Sequence, residues 1–325
     1  MYLEATNSIS DFETCLNSIG FLDLKEEYIK TIEKPGEGNM NVVLRIRTNR
    51  RSFIVKQSRP FVQKYQDIPA PIERIAVEYQ FYKAVTGKSI KPHIPEILSY
   101  SADNYLLLLE DLGDCQDMSY LYDNKHFTTS QLDQLINIAS QIHKSKPIDY
   151  PKNRTLRLLN HQHIFVLPFV KANGFSLDAI QEGLEDLALN YKADALLKKE
   201  IKRVGEQYLE EGNTLLHGDY YPGSWMTKGG HIYVIDPEFS FMGFAEFDMG
   251  VLAAHNIMIS MDISCLQTIT TAYPEPLNNQ LLTKVAGIEI MRRIIGLAQL
   301  PLKRSIQEKK ILLEIAHALI LDERN

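Results

Sequence analysis

The chain has 325 residues, of which 45% are hydrophobic and 23% charged, an ordinary composition for a globular protein with one two-lobed domain or two smaller ones. Its formal net charge of −6 argues against a nucleic-acid-binding surface, which would need a basic stripe. Because no run of about 18 apolar residues occurs, we expect no membrane-spanning helix.

The cysteines and the first residues indicate the compartment. Cys15, Cys115 and Cys265 are far apart and form no Cys-x-x-Cys pair, so neither a disulfide framework nor a zinc site is predicted. The segment 1–4 is already acidic and no apolar core follows it, which argues against a signal peptide. We therefore expect a cytoplasmic protein.

The N-terminal part of the chain predicts one short helix and then three strands. Ser10-Asp11-Phe12-Glu13 has the pattern of a capping box that opens the helix, and Gly20 would end it. The strands are predicted at 28–33, 40–47 and 52–57, with a glycine-containing turn at 35–39. Four arginines in the second strand and the turn after it indicate either solvated strand faces or a small polyanion-binding patch: Arg45, Arg47, Arg50 and Arg51.

A lysine and a glutamate in the next segments are candidates for an ion pair. Lys56 comes late on the third strand, and alone it would be read as a solvated side chain. Residues 71–85 have helical spacing and contain Glu78, the candidate partner, with Glu73 as its competitor. Strands are predicted at 98–100 and 105–109, and the second is almost wholly apolar, which is typical of a buried strand.

The sequence Glu110-Asp111-Leu112-Gly113-Asp114 ends this apolar strand abruptly. We interpret it as the hinge between an N-terminal lobe, 1–110, and a C-terminal lobe, 111–325. Exposed backbone groups at such a hinge, at Glu110 and Leu112, are able to bind an adenine.

The middle of the chain is predicted to be mainly helical. Thr128 opens a capping box for a helix that runs to Lys144, and His143 near its end is interpreted as a packing or helix-dipole residue rather than a ligand. His161-Gln162-His163 is read as alternating positions of a strand, with metal binding as the less favoured alternative. Residues 177–211 are predicted to be helical.

Helices also fill the C-terminal part. Asp248 is the predicted N-cap of an apolar helix that reaches about Ser260. Two further helices are predicted at 277–299 and 303–322.

Two acidic motifs follow short apolar runs near the centre of the C-terminal half. The first is His217-Gly218-Asp219, and the second is Asp236-Pro237-Glu238 after a turn at Lys228-Gly229-Gly230. The predicted order of strand, loop, strand, turn and strand brings Asp219 and Asp236 to one end of a strand pair. Phosphoryl transfer requires such a layout: one carboxylate orients the attacking hydroxyl, and a later one holds magnesium.

These motifs resemble the catalytic block of the aminoglycoside phosphotransferase and choline kinase group, and most specifically that of the methylthioribose kinases. Asp236-Pro237-Glu238 followed by Phe239-Ser240-Phe241 carries the specific likeness, together with Met291-Arg292-Arg293-Ile294-Ile295-Gly296-Leu297-Ala298. The likeness covers roughly residues 10–110 and 205–320. It implies an α+β, protein-kinase-like bilobal fold, with an antiparallel sheet and one main helix in the N-terminal lobe and a mostly helical C-terminal lobe.

The resemblance implies an ATP- and Mg²⁺-dependent kinase of a small hydroxylated metabolite, and it assigns the nucleotide site. The turn would cover the nucleotide, and Lys56 would pair with its phosphates while contacting Glu78. The residues expected to bind the nucleotide are Gly36, Gly38, Asn39, Asn41, Lys56, Glu78, Glu110 and Leu112.

The same likeness assigns the reacting groups. Asp219 would be the catalytic base or hydroxyl-orienting group. The likeness also implies that the carboxylate of Asp248 braces the catalytic loop, a structural role. Asp236 would ligate magnesium, with Glu238 facing the same side of an extended segment and Ser224 as a weak or water-mediated ligand.

The acceptor site is expected to be bordered by Tyr221, Arg292 and Arg293. Adjacent helical positions differ by about 100°, so the two arginines cannot share one stripe. Each arginine is either a structural partner of a carboxylate such as Asp248 or a substrate contact, and the resemblance favours substrate contact.

The sequence departs from the methylthioribose kinases around the acceptor site. It has Tyr220-Tyr221-Pro222 after the first motif, Trp225 is its one tryptophan, and segments of that family are missing. A methylthioribose-like sugar is the first candidate acceptor. An amino alcohol, an aminoglycoside, another sugar, or a non-catalytic nucleotide-binding protein are the alternatives. A homodimer is left open.

Overall fold

A computed structural model describes residues 2–36, 40–85, 87–124 and 126–322. Gly38 and Asn39 of the predicted nucleotide-covering turn lie outside these ranges, so their assignment stays a prediction. Within the ranges, no helix combines the length and apolar character needed to cross a bilayer.

The N-terminal lobe is built on an antiparallel sheet with the strand order β1-β2-β3-β7-β6. Its strands confirm the predicted ones to within about two residues, as sequence-based boundaries usually do. They are β1 (Ile29–Glu33), β2 (Val42–Thr48), β3 (Ser52–Gln57), β6 (Ile97–Ser101) and β7 (Leu106–Glu110). A separate pair is formed by β4 (Phe61–Val62) and β5 (Tyr65–Pro69).

The apolar strand β7 explains how the sheet separates two cores. Leu106 and Leu108 pack into a small cluster with helix α1 (Ile9–Ser18), whereas Leu107 and Leu109 belong to the main core. Successive side chains of a strand point to opposite faces, so a wholly apolar strand is buried on both. The main core continues from helix α2 (Arg74–Ala84) into the C-terminal lobe. The boundary at 110/111 remains a prediction.

The start of α1 differs from the predicted one. Ser8, not Ser10, is the N-cap, and Asp11, not Glu13, completes the capping box. Gly20 follows the helix with a φ of +73°, which agrees with its predicted role as the stop. The four clustered arginines, Arg45, Arg47, Arg50 and Arg51, each have a carboxylate within 3.6 Å. They therefore do not form a patch of unpaired positive charge.

The C-terminal lobe is mostly helical. Its helices are α3 (Leu121–Asn124), α4 (Thr129–His143), α5 (Arg154–His161), α6 (Leu184–Ala193), α7 (Ala195–Leu209), α8 (Ala245–Ser260), α9 (Cys265–Ala272), α10 (Asn279–Ile295) and α11 (Ile306–Leu321). The Thr128 capping box of α4 is present as predicted.

The strand considered for the two histidines in the middle of the chain is wrong. His161 ends α5 and His163 lies in the π-helical turn Gln162–Val166, so these histidines are not on a strand. The helical character predicted for 177–211 is confirmed from Leu184 to Leu209, as two helices, because Asp194 caps α7 directly after α6.

Short strands frame the two acidic motifs. Strand β9 (Thr214–Leu216) pairs with β12 (Phe241–Gly243). The hairpin β10 (Trp225–Lys228) and β11 (His231–Val234) lies between them in sequence, and β8 (Gln116–Asp117) pairs with β10. The predicted strand, loop, strand, turn and strand are therefore present, in an α+β protein-kinase-like fold.

Candidate active site

The loop His217-Gly218-Asp219 leaves β9 through a conformation that only glycine fits. Gly218 has a φ of +83°, and a Cβ there would lie 2.2 Å from the carbonyl oxygen of Phe239. The buried His217 ring contacts the Ile235 carbonyl oxygen through Nε2 at 2.9 Å. This contact ties the first acidic motif to the strand that leads into the second.

Asp248 braces this loop, as the resemblance to kinase-like proteins implied, and it is not the predicted N-cap. Helix α8 begins at Ala245, and the buried Asp248 carboxylate accepts hydrogen bonds from the amides of His217, at 2.7 Å, and Gly218, at 3.0 Å. Nε2 of His143 lies 3.1 Å from the same carboxylate, so the predicted packing role of His143 is to contact Asp248. Two charge-assisted bonds to consecutive amides fix the backbone that carries Asp219.

We expect Asp248→Ala to lower the free energy of unfolding by about 2–4 kcal/mol, because it leaves the two loop amides buried without an acceptor. Asp248→Asn keeps one acceptor oxygen, so its free energy of unfolding should fall by less. Thermal unfolding of both variants beside the parent measures this, and equal melting temperatures for Asp248→Ala and the parent would refute the brace.

Lys56 connects the N-terminal sheet, helix α2 and the second acidic motif. Its Nζ lies 2.5 Å from Oε1 of Glu78 and 2.7 Å from Oδ1 of Asp236. Burial lowers the pKa of Lys56, but Asp236 and then Glu78 more than offset this and keep it above its ordinary value. The Lys56–Glu78 pair predicted from spacing is present, and Glu73 is not the partner.

Asp236 is placed by an unusual backbone conformation. Its φ is +62°, in the left-handed region, and the turn Pro237–Phe239 follows at once. Proline favours such a helical first position, so the extended segment predicted for Asp236–Glu238 is wrong. The Asp236 side chain remains 43% exposed, which leaves it accessible to a ligand.

Glu238 points toward the N-terminal lobe. Its Oε2 lies 3.2 Å from Nε of Arg74 and accepts a 2.9 Å hydrogen bond from Nδ2 of Asn41. Burial raises the pKa of Glu238 to about 7, although Arg74 and Lys56 lower it. Sequence reasoning missed Arg74, which also donates to the carbonyls of Arg59 and Met40, because its partners are distant in sequence.

The fit of these residues to Mg²⁺ can be judged from their chemistry. Within the ranges described, no group of three or more His, Cys, Asp or Glu side chains is arranged around a metal position. Mg²⁺ in phosphoryl-transfer sites is usually held by one or two carboxylates plus substrate phosphates, so the accessible carboxylate of Asp236 fits it, whereas that of Glu238 is engaged by Arg74 and Asn41. Ser224 is buried, and its amide donates to the Tyr221 carbonyl.

Arg292 and Arg293 both lie beside Asp219. Their Nη2 atoms are 4.0 Å and 3.6 Å from Oδ1 of Asp219, and the carboxylate expected as a structural alternative, Asp248, is elsewhere. The predicted structural alternative is nevertheless present with a different carboxylate, because Glu289 pairs with both arginines, with Arg293 Nε at 2.8 Å and Arg292 Nε in contact. Burial raises the pKa of Asp219, and Arg293 and Arg292 oppose this.

Glu289 is a site residue that the sequence analysis missed, although its spacing of three and four residues from the arginines was a usable signal. His255 adds a contact to its Oε1 at 3.1 Å and in turn meets the Tyr122 hydroxyl at 2.7 Å. Burial raises the pKa of Glu289, but Arg292 and Arg293 bring it well below its ordinary value.

We expect Glu289→Gln to lower the free energy of unfolding at pH 7 by about 3–5 kcal/mol, because it leaves two buried guanidiniums short of an anion. A depressed folded-state pKa contributes stability above the unfolded-state value, near 4.5, and loses it as the pH falls through the folded-state value. Denaturation across pH should therefore show the parent and variant converging below about pH 4. A difference in the free energy of unfolding between parent and variant that stays constant across this pH range would contradict the ion pairs.

Tyr221 completes this side of the site. The Arg293 guanidinium lies 4.7 Å from the centre of its ring, and the His255 ring centre is 5.3 Å from it. Burial raises the pKa of Tyr221, and Asp219 and Asp236 raise it as well, so Tyr221 lies in the field of both aspartates. Its role at the acceptor site stays a prediction.

The predicted nucleotide contacts are distributed around Lys56. Asn41 lies beside Glu238, and the amide of Glu110 donates to Glu96. The Leu112 carbonyl is 3.4 Å from the Lys228 ammonium, while Gly36 has open space where a Cβ would be. None of these contacts assigns or removes a nucleotide role.

Comparison with known proteins shows the family. A model described as the phosphotransferase enzyme family matches residues 31–281, which include Lys56, Asp219 and Asp236 but not the arginine pair. The chain is 29% identical over 239 residues to the methylthioribose kinase of Exiguobacterium sibiricum and 25% identical over 253 residues to methylthioribose kinase 1 of Oryza sativa subsp. japonica. These alignments cover 69% and 70% of this chain but 60% and 56% of the relatives' lengths.

Solved structures share the fold. Choline kinase from Streptococcus pneumoniae aligns with a TM-score of 0.53 at 13% identity, covering 96% of this chain and 98% of that one. A spectinomycin phosphotransferase aligns with a TM-score of 0.58 at 12% identity, covering 97% and 99%. At these identities the likeness shows the fold.

Proposed function

The chain belongs to the phosphotransferase enzyme family, and we propose from that premise that it is an ATP- and Mg²⁺-dependent kinase of a small metabolite. It would transfer the γ-phosphoryl group of ATP to an acceptor hydroxyl, with a methylthioribose-like sugar as the first candidate. The likeness to methylthioribose kinases supports this acceptor class, although the chain spans only 60% and 56% of the lengths of the two described above.

The observation that carries the proposal is the arrangement of Lys56 between Glu78 and Asp236, 2.5 Å and 2.7 Å from its ammonium. A lysine held in this way is suited to pair with nucleotide phosphates. Asp236 would hold Mg²⁺, with Glu238 and Ser224 in support, and the bound ion would neutralise charge on the phosphates. The adenine would lie against the backbone of Glu110 and Leu112, under the turn that includes Gly36, Gly38 and Asn39.

Asp219 would orient the acceptor hydroxyl and accept its proton. The Asp248 brace fixes the backbone of Asp219, and Arg292 and Arg293 keep two guanidiniums next to its carboxylate. Loose phosphoryl-transfer transition states depend on such positioning and charge neutralisation. Arg292 and Arg293 balance the charges of Glu289 and Asp219, so no unpaired carboxylate is left for a cationic acceptor, which favours a sugar over an amino alcohol or aminoglycoside.

A coupled assay of ADP formation tests the proposal. The chain would be incubated with ATP, Mg²⁺ and single acceptors from a panel of sugars, thiosugars, amino alcohols and aminoglycosides. We expect sugars and thiosugars to raise ADP formation above the acceptor-free rate. If ATP binds but no acceptor raises the rate, the chain is the non-catalytic nucleotide-binding protein instead.

A further inference from the structure

A cavity of about 210 Å³ lies against Arg293, outside the contacts described above. The other charged residues that line it are also basic: Lys303, Arg304 and Lys309. Residues 293–309 lie beyond the part of the chain that the family model matches, 31–281. Arg293 belongs to the segment 291–298 that resembles the methylthioribose kinases, whereas Lys303, Arg304 and Lys309 lie beyond both that segment and the matched range.

Two of these cations already have anionic partners. The Arg304 guanidinium lies 2.7 Å from Glu308 and donates to the carbonyls of Met258 and Ile259. The ammonium of Lys303 lies 3.0 Å from Asp123, and its side chain is 82% exposed. Arg304 is therefore part of the cavity wall, and the Lys303 side chain is mainly exposed to solvent.

Lys309 is different because it is buried without a counter-ion. Its exposed fraction is 7%, and no described side chain forms a hydrogen bond or ion pair with its ammonium. Burial alone lowers its pKa. Since an isolated buried charge is unfavourable, an ammonium facing a cavity indicates a site for an anion.

An unsatisfied donor in the wall of the cavity supports the same conclusion. Nε of Arg304 is buried and has no hydrogen-bond partner among the described residues, and Arg304 lines the cavity. Buried polar groups in folded proteins nearly always have partners, so this N–H is available to an anionic ligand. Oε1 of Gln181, another lining residue, is a buried acceptor without a partner in the described part of the chain, and it suits a ligand hydroxyl rather than the anion.

Arg293 connects the cavity to the reacting centre. It lines the cavity, and its Nη2 lies 3.6 Å from Oδ1 of Asp219. Pockets that enclose a whole small molecule usually measure about 300–1,000 Å³, so this smaller space suits one end of a ligand. A ligand end held there would be one guanidinium away from the carboxylate that orients the acceptor.

We propose that this cavity binds the anionic end of the acceptor, a carboxylate or phosphate group carried by a hydroxylated, sugar-like metabolite. The inference rests on the proposed function and narrows it: the acceptor carries an anionic group where methylthioribose has a neutral thioether. The anion contacts Lys309 and the Arg293 side of the cavity, and a hydroxyl of the same molecule reaches Asp219.

The test uses the full chain and four probes: ribose 5-phosphate, ribonate, ribose and methylthioribose. Calorimetric titration measures their binding in the presence of a non-hydrolysable ATP analogue and Mg²⁺, and the coupled assay measures kcat and KM. We expect at least one anionic probe to bind at least about tenfold more tightly than either neutral sugar. Whether the phosphate or the carboxylate is preferred identifies the anion.

Variants of Lys309 and its exposed neighbour separate this site from general charge effects. Lys309→Gln, and Lys309→Met as a second variant, should remove about tenfold of the preference, through KM rather than kcat. Lys310→Gln removes the same charge from a side chain that is 51% exposed and should behave as the parent does. Thermal unfolding of all three variants establishes that they are folded.

Equal binding of anionic and neutral probes by the parent would overturn the inference, and so would a preference that survives in both Lys309 variants. Efficient phosphorylation of methylthioribose with no anion preference would retain the proposed function and remove the subsite. Lys309-dependent anion binding without any ADP formation would do the reverse, because the subsite would stand and the kinase proposal would fail.

Discussion

Replacing Asp219 with asparagine is expected to lower kcat by about 10²–10⁴-fold, the usual cost of losing a positioned general base. The amide keeps the shape of the side chain but cannot accept the proton of the acceptor hydroxyl. ATP binding should stay near the parent value, because the residues proposed to bind the nucleotide and its Mg²⁺, Lys56 and Asp236, are unchanged. Glu289 still holds Arg292 and Arg293 in this variant, so the site should remain assembled.

Coupled ADP formation measures kcat, and titration with an ATP analogue measures nucleotide affinity. Asp103→Asn is a matched control, since Asp103 is exposed in the turn between β6 and β7. The assignment of Asp219 fails if the variant retains more than about a tenth of the parent rate, well above the loss expected for a general base.

Asp236→Ala is expected to lower kcat by about 10²-fold or more, comparable to removing one preorganised group that stabilises transition-state charge. The variant loses the carboxylate proposed to hold Mg²⁺ and leaves Lys56 paired with Glu78 alone. The Mg²⁺ concentration needed for nucleotide binding should rise. Titration of Mg²⁺ at fixed nucleotide concentration measures this.

The Mg²⁺ requirement of Asp236→Ala is compared with that of Glu238→Gln. Glu238 is engaged by Arg74 and Asn41, so its loss should act mainly on the contact between the lobes and less on the Mg²⁺ requirement. A Mg²⁺ dependence of Asp236→Ala equal to that of the parent would exclude the metal role of Asp236. A larger shift in Glu238→Gln than in Asp236→Ala would reverse the two roles.

Local sequence signals predicted the parts of the site that depend on neighbours in the chain. Strand β3 is found at the residues predicted, 52–57, and the hairpin of β10 and β11 follows from its Gly-Gly turn. Gly218 and Asp219 were predicted to lie in one loop after an apolar strand, and the structure adds the left-handed backbone of Gly218. Local patterns placed Lys56 on a strand and Glu78 on a helix, and the resemblance to kinases supplied their pairing.

Contacts between distant segments were not predictable in the same way. Local patterns assigned Asp248 as an N-cap, and only the family resemblance implied the brace in which its carboxylate binds amides 30 and 31 residues away. The ion pair of Arg74 with Glu238 crosses from α2 to the second acidic motif. The packing of tertiary structure, rather than local propensity, decides such partners, and the same holds for the helical conformation of His161 and His163.

The most direct test of the proposed activity is analysis of the acceptor after reaction. The chain is incubated with ATP, Mg²⁺ and the acceptor that raises ADP formation most, and the product is examined by mass spectrometry and phosphorus NMR. We expect one phosphoryl group on an acceptor hydroxyl for each ADP formed, and no such product with Asp219→Asn. ADP and free phosphate without a phosphorylated acceptor, or equal product from Asp219→Asn, would contradict the proposal.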